Sequence, residues 1–190
     1  MANLILASSS PRRSLLLSVA GFEFSVQWPD VDERVVDGED PDRMVVRLAR
    51  EKALAAVNED GSVALGADTT VVLDGEILGK PKSEIEAADM LLSIAGRTHL
   101  VLTGWALAAE GAILEDGFDS SLVSMQPVTR DEADAYAASG EPLDKAGAYA
   151  LQGDGARFVS GVAGSRSNVI GLPLQPIVAA LRRAAIEPTR

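Results

Sequence analysis

The stretch Leu4-Ile-Leu-Ala-Ser-Ser-Ser-Pro-Arg-Arg-Ser-Leu-Leu-Leu17 constrains the fold more than any other part of the chain. Leu4, Ile5 and Leu6 form a short unbroken apolar run, which suits a strand covered on both faces, because a half-exposed strand would alternate. Three serines and a proline then break the run. Pro11 fits the first position of a helix, where its fixed φ is suitable and its missing N–H is not needed, and Ser10 stands at the N-cap. The helix is expected to turn Leu15, Leu16 and Val19 inward and to stop at Gly21. Its first turn offers unpaired backbone N–H groups and the positive end of the dipole, beside three hydroxyls and the guanidiniums of Arg12 and Arg13. An anion is the expected occupant. The same residues also suit an ordinary capped helix with two solvated arginines.

The rest of the chain alternates strand and helix signals without repeats or low-complexity linkers, which predicts an α/β fold. Phe22 to Trp28 alternates as a half-buried strand does, and Pro29 ends it. Asp30, Asp32 and Glu33 follow in a loop; three carboxylates suit a hard divalent cation, yet acidic loops are usually solvated, the reading favoured for Asp30 and Asp32. A helix opens at Asp40-Pro41 and runs to about Val57, with Val45, Leu48, Ala49 and Ala56 inward. Lys52 falls within about 40° of Val45 and Leu48 on that helix, so its stem starts toward the core edge, from where it either snorkels to water or reaches an anion.

Ser62 to Asp68 reads as a second core strand ending at Asp68-Thr69-Thr70. An acid at the end of a buried strand needs a metal, a lysine or several donors, and catalytic carboxylates are often placed there. Asp74-Gly75, between Val71-Val72-Leu73 and Glu76-Ile77-Leu78, predicts a hairpin with a type I′ turn. Gly79-Lys80-Pro81 follows, making Lys80 a second candidate phosphate cation. Ser83 with Glu86, and Thr129 with Glu132, form capping boxes for two further helices, the first packing Ala87, Met90, Leu91 and Ile94 and the second closed by Gly140. Strands are expected at His99 to Ala108 and Asp119 to Val128, joined by a loose stretch holding Gly111 and Gly117. His99 reads as structural. In Asp144-Lys-Ala-Gly-Ala-Tyr-Ala-Leu-Gln-Gly-Asp-Gly155, glycines interleave with polar groups, and Gln152 can donate and accept at once, as reading a base edge requires. A strand near Ala156 to Val162 and a helix packing Ile177, Val178 and Leu181 end the pattern.

Composition excludes several classes. With 190 residues, 47% of them hydrophobic, the chain can bury a full core. A net charge of -11 argues against nucleic-acid binding, which draws on clustered Lys and Arg. The absence of cysteine removes disulfides, thiol catalysis and zinc clusters, and fits a reducing cytosol. No apolar run approaches the roughly 18 residues of a membrane helix, so a cytoplasmic protein without membrane partners is expected. Neither G-x-x-x-x-G-K-[ST] nor a full dinucleotide fingerprint is present. The remaining set, a serine and arginine loop with Lys52, Lys80, Glu33 and Asp68, suits a triphosphate with a divalent metal.

The sequence resembles the Maf-like nucleoside triphosphate pyrophosphatases, also described as septum-formation inhibitors. The resemblance rests on Leu6-Ala-Ser-Ser-Ser-Pro-Arg-Arg13, Val31-Asp-Glu33, Glu51-Lys-Ala53, Gly66-Ala-Asp-Thr69, Gly79-Lys-Pro81, Gly96-Arg-Thr-His99, Asp144-Lys-Ala-Gly-Ala-Tyr149, Gln152-Gly153 and Gly171-Leu-Pro173, in order along nearly the whole chain. It implies one Maf-like domain over residues 1–190, with an elongated mixed sheet flanked by helices and two lobes around a deep nucleotide-binding groove. It also implies hydrolysis of a nucleoside triphosphate to monophosphate and pyrophosphate with a divalent metal, Mg or Mn, commonly by a homodimer. On the matching positions it makes Asp68 the proton acceptor, and Arg12, Thr69 and Gln152 the determinants of base choice. Glu33 and Asp68 are then expected to hold the metal, and Ser8, Arg12, Arg13, Lys52 and Lys80 the phosphates. An aspartate is a weak base, so the metal would supply most of the activation of water. Ser-Pro-Arg-Arg, Ala-Asp-Thr and Gln-Gly resemble the dTTP and UTP enzymes; a sister branch acting on 7-methyl-GTP has Ser-Pro-Trp-Arg, Ser-Asp-Gln and Glu-Gly there. Two other readings stay open, a non-catalytic nucleotide-binding regulator of cell division and a pyrophosphatase for a modified purine nucleotide.

Overall fold

β1 (Leu4–Ala7) is buried at every residue, as its unbroken apolar run predicts. The structure, a computed structural model, describes residues 3–57 and 61–189. A mixed seven-stranded sheet runs in the order β2-β1-β3-β5-β6-β7, with β4 paired to β3. Its strands are β1, β2 (Ser25–Gln27), β3 (Val63–Leu73), β4 (Glu76–Leu78), β5 (Thr98–Ala109), β6 (Ala112–Met125) and β7 (Val159–Ala163). The helices are α1 (Pro11–Val19), α2 (Pro41–Ala56), α3 (Glu84–Ile94), α4 (Arg130–Ala137), α5 (Arg166–Ile170) and α6 (Leu174–Arg183), and they flank the sheet. Among the described residues no helix is long and apolar enough to cross a membrane.

The chain divides into two compact units: residues 1–68, 103–119 and 171–190, and residues 69–102 and 120–170. In the first, β1 and β3 pair in parallel from Leu4↔Val63 to Ala7↔Gly66. Alternate residues of these strands enter separate cores. Leu4, Leu6 and Leu65 pack with Leu17 of α1 and with Ile177 and Leu181 of α6. Ile5, Ala7 and Ala64 pack with Ala56 of α2, and Ala49 and Ala53 of that helix with Ala106 and Ala108 of β5. Two glycines bring α2 unusually close. A Cβ on Gly66 would lie 2.1 Å from the Ala49 carbonyl oxygen and 2.7 Å from the Ala53 nitrogen, and one on Gly104 would lie 2.3 Å from the Val45 carbonyl. In the second unit, Val71, Leu73, Val101 and Val123 pack with Leu91 and Ile94 of α3, Tyr136 of α4, Tyr149 and Phe158.

Several local expectations shift. α1 begins at Pro11, but the Ser10 side chain makes no cap bond. Leu15 and Val19 are 54% and 75% exposed, while Leu17 is fully buried. The inward face therefore includes Arg13, four residues before Leu17; three consecutive leucines leave the face ambiguous in the sequence. β2 covers only residues 25–27 and pairs in parallel with β1, leaving Trp28 exposed. β3 does not end at Asp68. It continues to Leu73, so Asp68 sits between the stretch paired to β1 and the stretch paired antiparallel to β4, Val71↔Leu78 to Leu73↔Glu76. Asp74 and Gly75 both have positive φ, 52° and 88°, as a type I′ turn requires. The expected loose stretch before residue 119 is a tight turn at Glu110-Gly111, and Gly117 lies inside β6 against the Trp105 indole.

Candidate active site

Gly66 and Asp68 lie two residues apart on β3 and so share the face that α2 covers. The close approach at Gly66 sets residues 49 to 53 of α2 against the strand, and Lys52 lies within that turn. Its Nζ is 2.7 Å from Asp68 Oδ1 and 2.5 Å from Glu33 Oε1, with the Lys52 side chain only 9% exposed. The ammonium is thus held inside, between two carboxylates, and does not snorkel to water.

Glu33 reaches Lys52 from the loop between β2 and α2, and that loop is pinned to α2. Arg47 donates to both oxygens of Glu39 at 2.8 and 2.7 Å, to Glu51 at 3.3 Å and to the Arg34 carbonyl at 3.2 Å. These partners hold the Arg47 guanidinium above the usual arginine range. Asp32 is spoken for by Arg34, whose Nε donates to its two oxygens at 2.9 and 2.8 Å; the bond holds its carboxyl below the usual range. Asp32 thus follows the solvated-loop reading, and Glu33 alone of the three acids is ion-paired to Lys52.

At the start of α1, Arg13 and Ser8 interlock. The Ser8 hydroxyl oxygen accepts from Arg13 Nη1 at 3.1 Å and from the Ser10 backbone N–H at 3.2 Å, while Arg13 Nε donates to the Gly171 carbonyl at 2.8 Å. Burial lowers the Arg13 pKa, the fields of Asp68 and Glu33 oppose this, and neighbouring Arg12 adds to it. Even lowered, an arginine stays charged at neutral pH. Serine, arginines, lysine and two acids therefore gather within one unit. A polyanion with a cation is the ligand such a set suits: fixed guanidiniums and helix N–H groups meet the anion, and carboxylates meet the cation.

Three expected site residues lie in the second unit. Thr69 follows Asp68 on β3 and is half-buried; Lys80 stands two residues beyond the β3–β4 ladder and is exposed. Gln152 lies in the bend before the 3₁₀ helix Asp154–Phe158. Its side-chain amide makes no hydrogen bond to the described residues and is half-buried. The Gly147 N–H donates to the Gly79 carbonyl at 3.2 Å, which ties the Lys80 segment to the Asp144–Tyr149 stretch. His99 is structural as expected: buried, with Nε2 2.8 Å from the Tyr149 hydroxyl, it is kept neutral by burial, its pKa pushed down to about 4. Sequence reasoning passed over Arg47, Gly104 and Glu141. Arg47 and Glu51, four apart on one helix face, were the only local signal for the first of these.

An α/β sheet covered by helices on both faces, with an anion-type loop at the first helix and a lysine between two carboxylates, defines the class. The chain belongs to the Maf family, matching its Maf-like protein description over residues 3–184. Three relatives bear the name dTTP/UTP pyrophosphatase. The protein of Myxococcus xanthus (strain DK1622) is 50% identical over 184 residues, covering 96% of this chain and 93% of its own length. That of Geotalea uraniireducens (strain Rf4) is 48% identical over 190 residues, covering 98% and 97%. That of Anaeromyxobacter dehalogenans (strain 2CP-C) is 48% identical over 184 residues, covering 95% and 93%.

Proposed function

We propose that this chain is a nucleoside triphosphate pyrophosphatase acting on dTTP and UTP, with residues 1–190 serving as one Maf-like domain in the cytoplasm. The names of relatives 48–50% identical along nearly their full length support the activity and the substrate pair. The observation that carries the chemistry is the Lys52 ammonium held by Glu33 and Asp68. A cation already occupies the point where the two carboxylates converge. Hard oxygen ligands at such a point fit Mg²⁺ or Mn²⁺, which is commonly held by one or two carboxylates together with substrate phosphates. Bound there, the metal would neutralise phosphate charge and acidify a coordinated water.

The protein's own groups divide the remaining work. Lys52, released toward the phosphates, joins Ser8, Arg12, Arg13 and Lys80 in balancing the triphosphate charge. Asp68 takes the proton of the attacking water as its oxygen bonds to the α-phosphorus. The bond from that phosphorus to the α–β bridging oxygen breaks, and pyrophosphate departs with the electron pair. Gln152, Thr69 and Arg12 read the base, since an amide can match both the N3–H donor and the O4 acceptor of uracil or thymine.

Pyrophosphate release measured with dTTP, UTP, CTP and 7-methyl-GTP tests the reading. dTTP and UTP are expected to lead. Asp68→Asn preserves shape and hydrogen bonding but removes the acceptor, so turnover is expected to drop by about 10²-fold or more while nucleotide binding persists. Near-normal turnover by Asp68→Asn, or preference for 7-methyl-GTP, overturns the assignment it addresses.

A further inference from the structure

Gln152 sits in the bend that leads into a short 3₁₀ helix, Asp154–Phe158. What holds it is the carboxylate of Glu141, eleven positions earlier. Glu141 Oε2 accepts the Asp154 N–H at 3.1 Å, and Oε1 accepts the Gly155 N–H at 3.1 Å and the Tyr136 hydroxyl at 2.8 Å. Tyr136 is itself buried, edge-on to Phe158 at 5.3 Å between ring centroids. The carboxylate thus receives three donors, two of them backbone N–H groups two and three residues beyond Gln152.

The backbone is shaped around this contact. Gly153 has φ 111° and ψ −160°, a conformation essentially confined to glycine. A Cβ there would stand 2.7 Å from Glu141 Oε2 and 2.9 Å from Oε1, so the missing side chain is the space that the carboxylate fills. Gly155 is equally crowded, its Cβ position lying 2.5 Å from the Tyr136 hydroxyl. At the other end, Lys145 donates to the Glu141 carbonyl at 3.0 Å and pairs with Asp144. Gly153 is therefore explained by an acid distant in sequence, and Gly155 by the tyrosine bonded to that acid and by the Ala150 backbone. The three donors also favour the charged form of Glu141, holding its carboxyl below the usual range against its partial burial.

We propose that Glu141 is a positioning residue for Gln152: by gripping the backbone N–H groups of Asp154 and Gly155 it fixes the bend at Gly153 and thereby the direction of the base-reading amide. The inference rests on the reading of Gln152 given above. A misaimed amide loses discrimination between bases before it loses phosphate chemistry, because a polar edge left unpaired is what rejects the wrong base.

The test is the ratio of kcat/KM for UTP over CTP in wild type, Gln152→Ala, Glu141→Gln and the double variant. Glutamine keeps the size of Glu141 but turns one acceptor into an NH₂ group facing an N–H donor. Glu141→Gln is expected to lower the ratio by roughly tenfold, a scale typical of coupling within one hydrogen-bonded network. The loss should fall mainly on KM for UTP, and it should vanish in the Gln152→Ala background. Tyr136→Phe removes one donor and keeps the core ring, so a smaller drop in the same direction is expected; it carries the test if Glu141→Gln does not fold. An unchanged ratio in a folded Glu141→Gln or Tyr136→Phe, or an equal drop with and without Gln152, overturns the positioning role. A wild-type chain without UTP preference, or a Gln152→Ala variant that keeps it, overturns the reading of Gln152 itself and the inference with it.

Discussion

His99 shows how one buried side chain can set a property of the whole chain. It is the only histidine. Its ring is 2% exposed, Nε2 meets the Tyr149 hydroxyl, and Nδ1 has no hydrogen-bond partner among the described residues. Protonation would bury a charge, so the folded pKa falls to about 4 while the unfolded one stays near about 6.5. Between those values the unfolded chain binds a proton that the folded chain refuses. Stability therefore rises with pH across the window and is lost as pH falls from about 6.5 toward 4, by about 3 kcal/mol in all. Urea midpoints at pH 7, 5.5 and 4.5 should show this slope in wild type and a flatter one in His99→Gln, whose amide still reaches the tyrosine. Parallel slopes in the two proteins would assign the pH dependence elsewhere.

At the scale of elements, α2 is the scaffold of the candidate site. Its inner face is alanine-rich, and Gly66 and Gly104 let its backbone touch the strands. Its polar side carries Arg47, which anchors the Glu33 loop, and its edge carries Lys52. One helix thus sets both the lysine and the loop that meets it. Gly66→Ala would drive a methyl group into the α2 backbone and is expected to destabilise by about 1–3 kcal/mol or more, as overpacking does when backbone must move. Lifting α2 at residues 49 to 53 also withdraws Lys52, so the KM for triphosphate should rise. Gly104→Ala presses on Val45, about two turns away from Lys52, and should destabilise similarly with a smaller change in KM. Denaturant unfolding and KM values measured on both variants distinguish the effects; wild-type stability in Gly66→Ala would refute the close approach.

For the whole molecule, charge sets what the ligand must overcome. The chain carries a net charge of -11, and a triphosphate is a polyanion, so attraction must come from local cations. Among the described residues no group of three or more acidic or histidine side chains could hold a metal ion, and Glu33 and Asp68 are both engaged with Lys52. On the proposed reading Mn²⁺ binds the nucleotide-free chain weakly and binds far better once a non-hydrolysable triphosphate draws Lys52 away; linkage requires the metal to strengthen nucleotide binding by the same factor. Lys52→Met should tighten Mn²⁺ binding by the nucleotide-free chain while weakening triphosphate binding. Free Mn²⁺ followed by electron paramagnetic resonance reads the first effect directly. Unchanged metal affinity in Lys52→Met would show that the ammonium does not compete with the cation.

What the sequence by itself determined was whatever depends on neighbours within a turn or two. The buried first strand, the start of α1 at Pro11, α2 with Lys52 on its inner edge, the Asp74-Gly75 turn and the Thr129–Glu132 capping box all rest on local dihedral preferences or a fixed period, and all appear in the structure. Gathering Ser8, Arg13, Glu33, Lys52 and Asp68 was legible only as a set of residue types. Their distances depend on Gly66, whose role is invisible until α2 lies on it. The buried face of α1 escaped because leucines in a row carry no phase, and only the core containing Leu172 and Ile177 selects Leu17 over Leu15. An acid usually interrupts a buried run, so the sequence suggests a strand end at Asp68. Tertiary structure kept the strand going by giving that acid a lysine from α2, just where β3 passes from its parallel partner to its antiparallel one. Glu141 left no local trace for the same reason: the N–H groups it satisfies lie thirteen and fourteen residues away, and a hydrogen bond across that span exists only once the chain has folded back on itself.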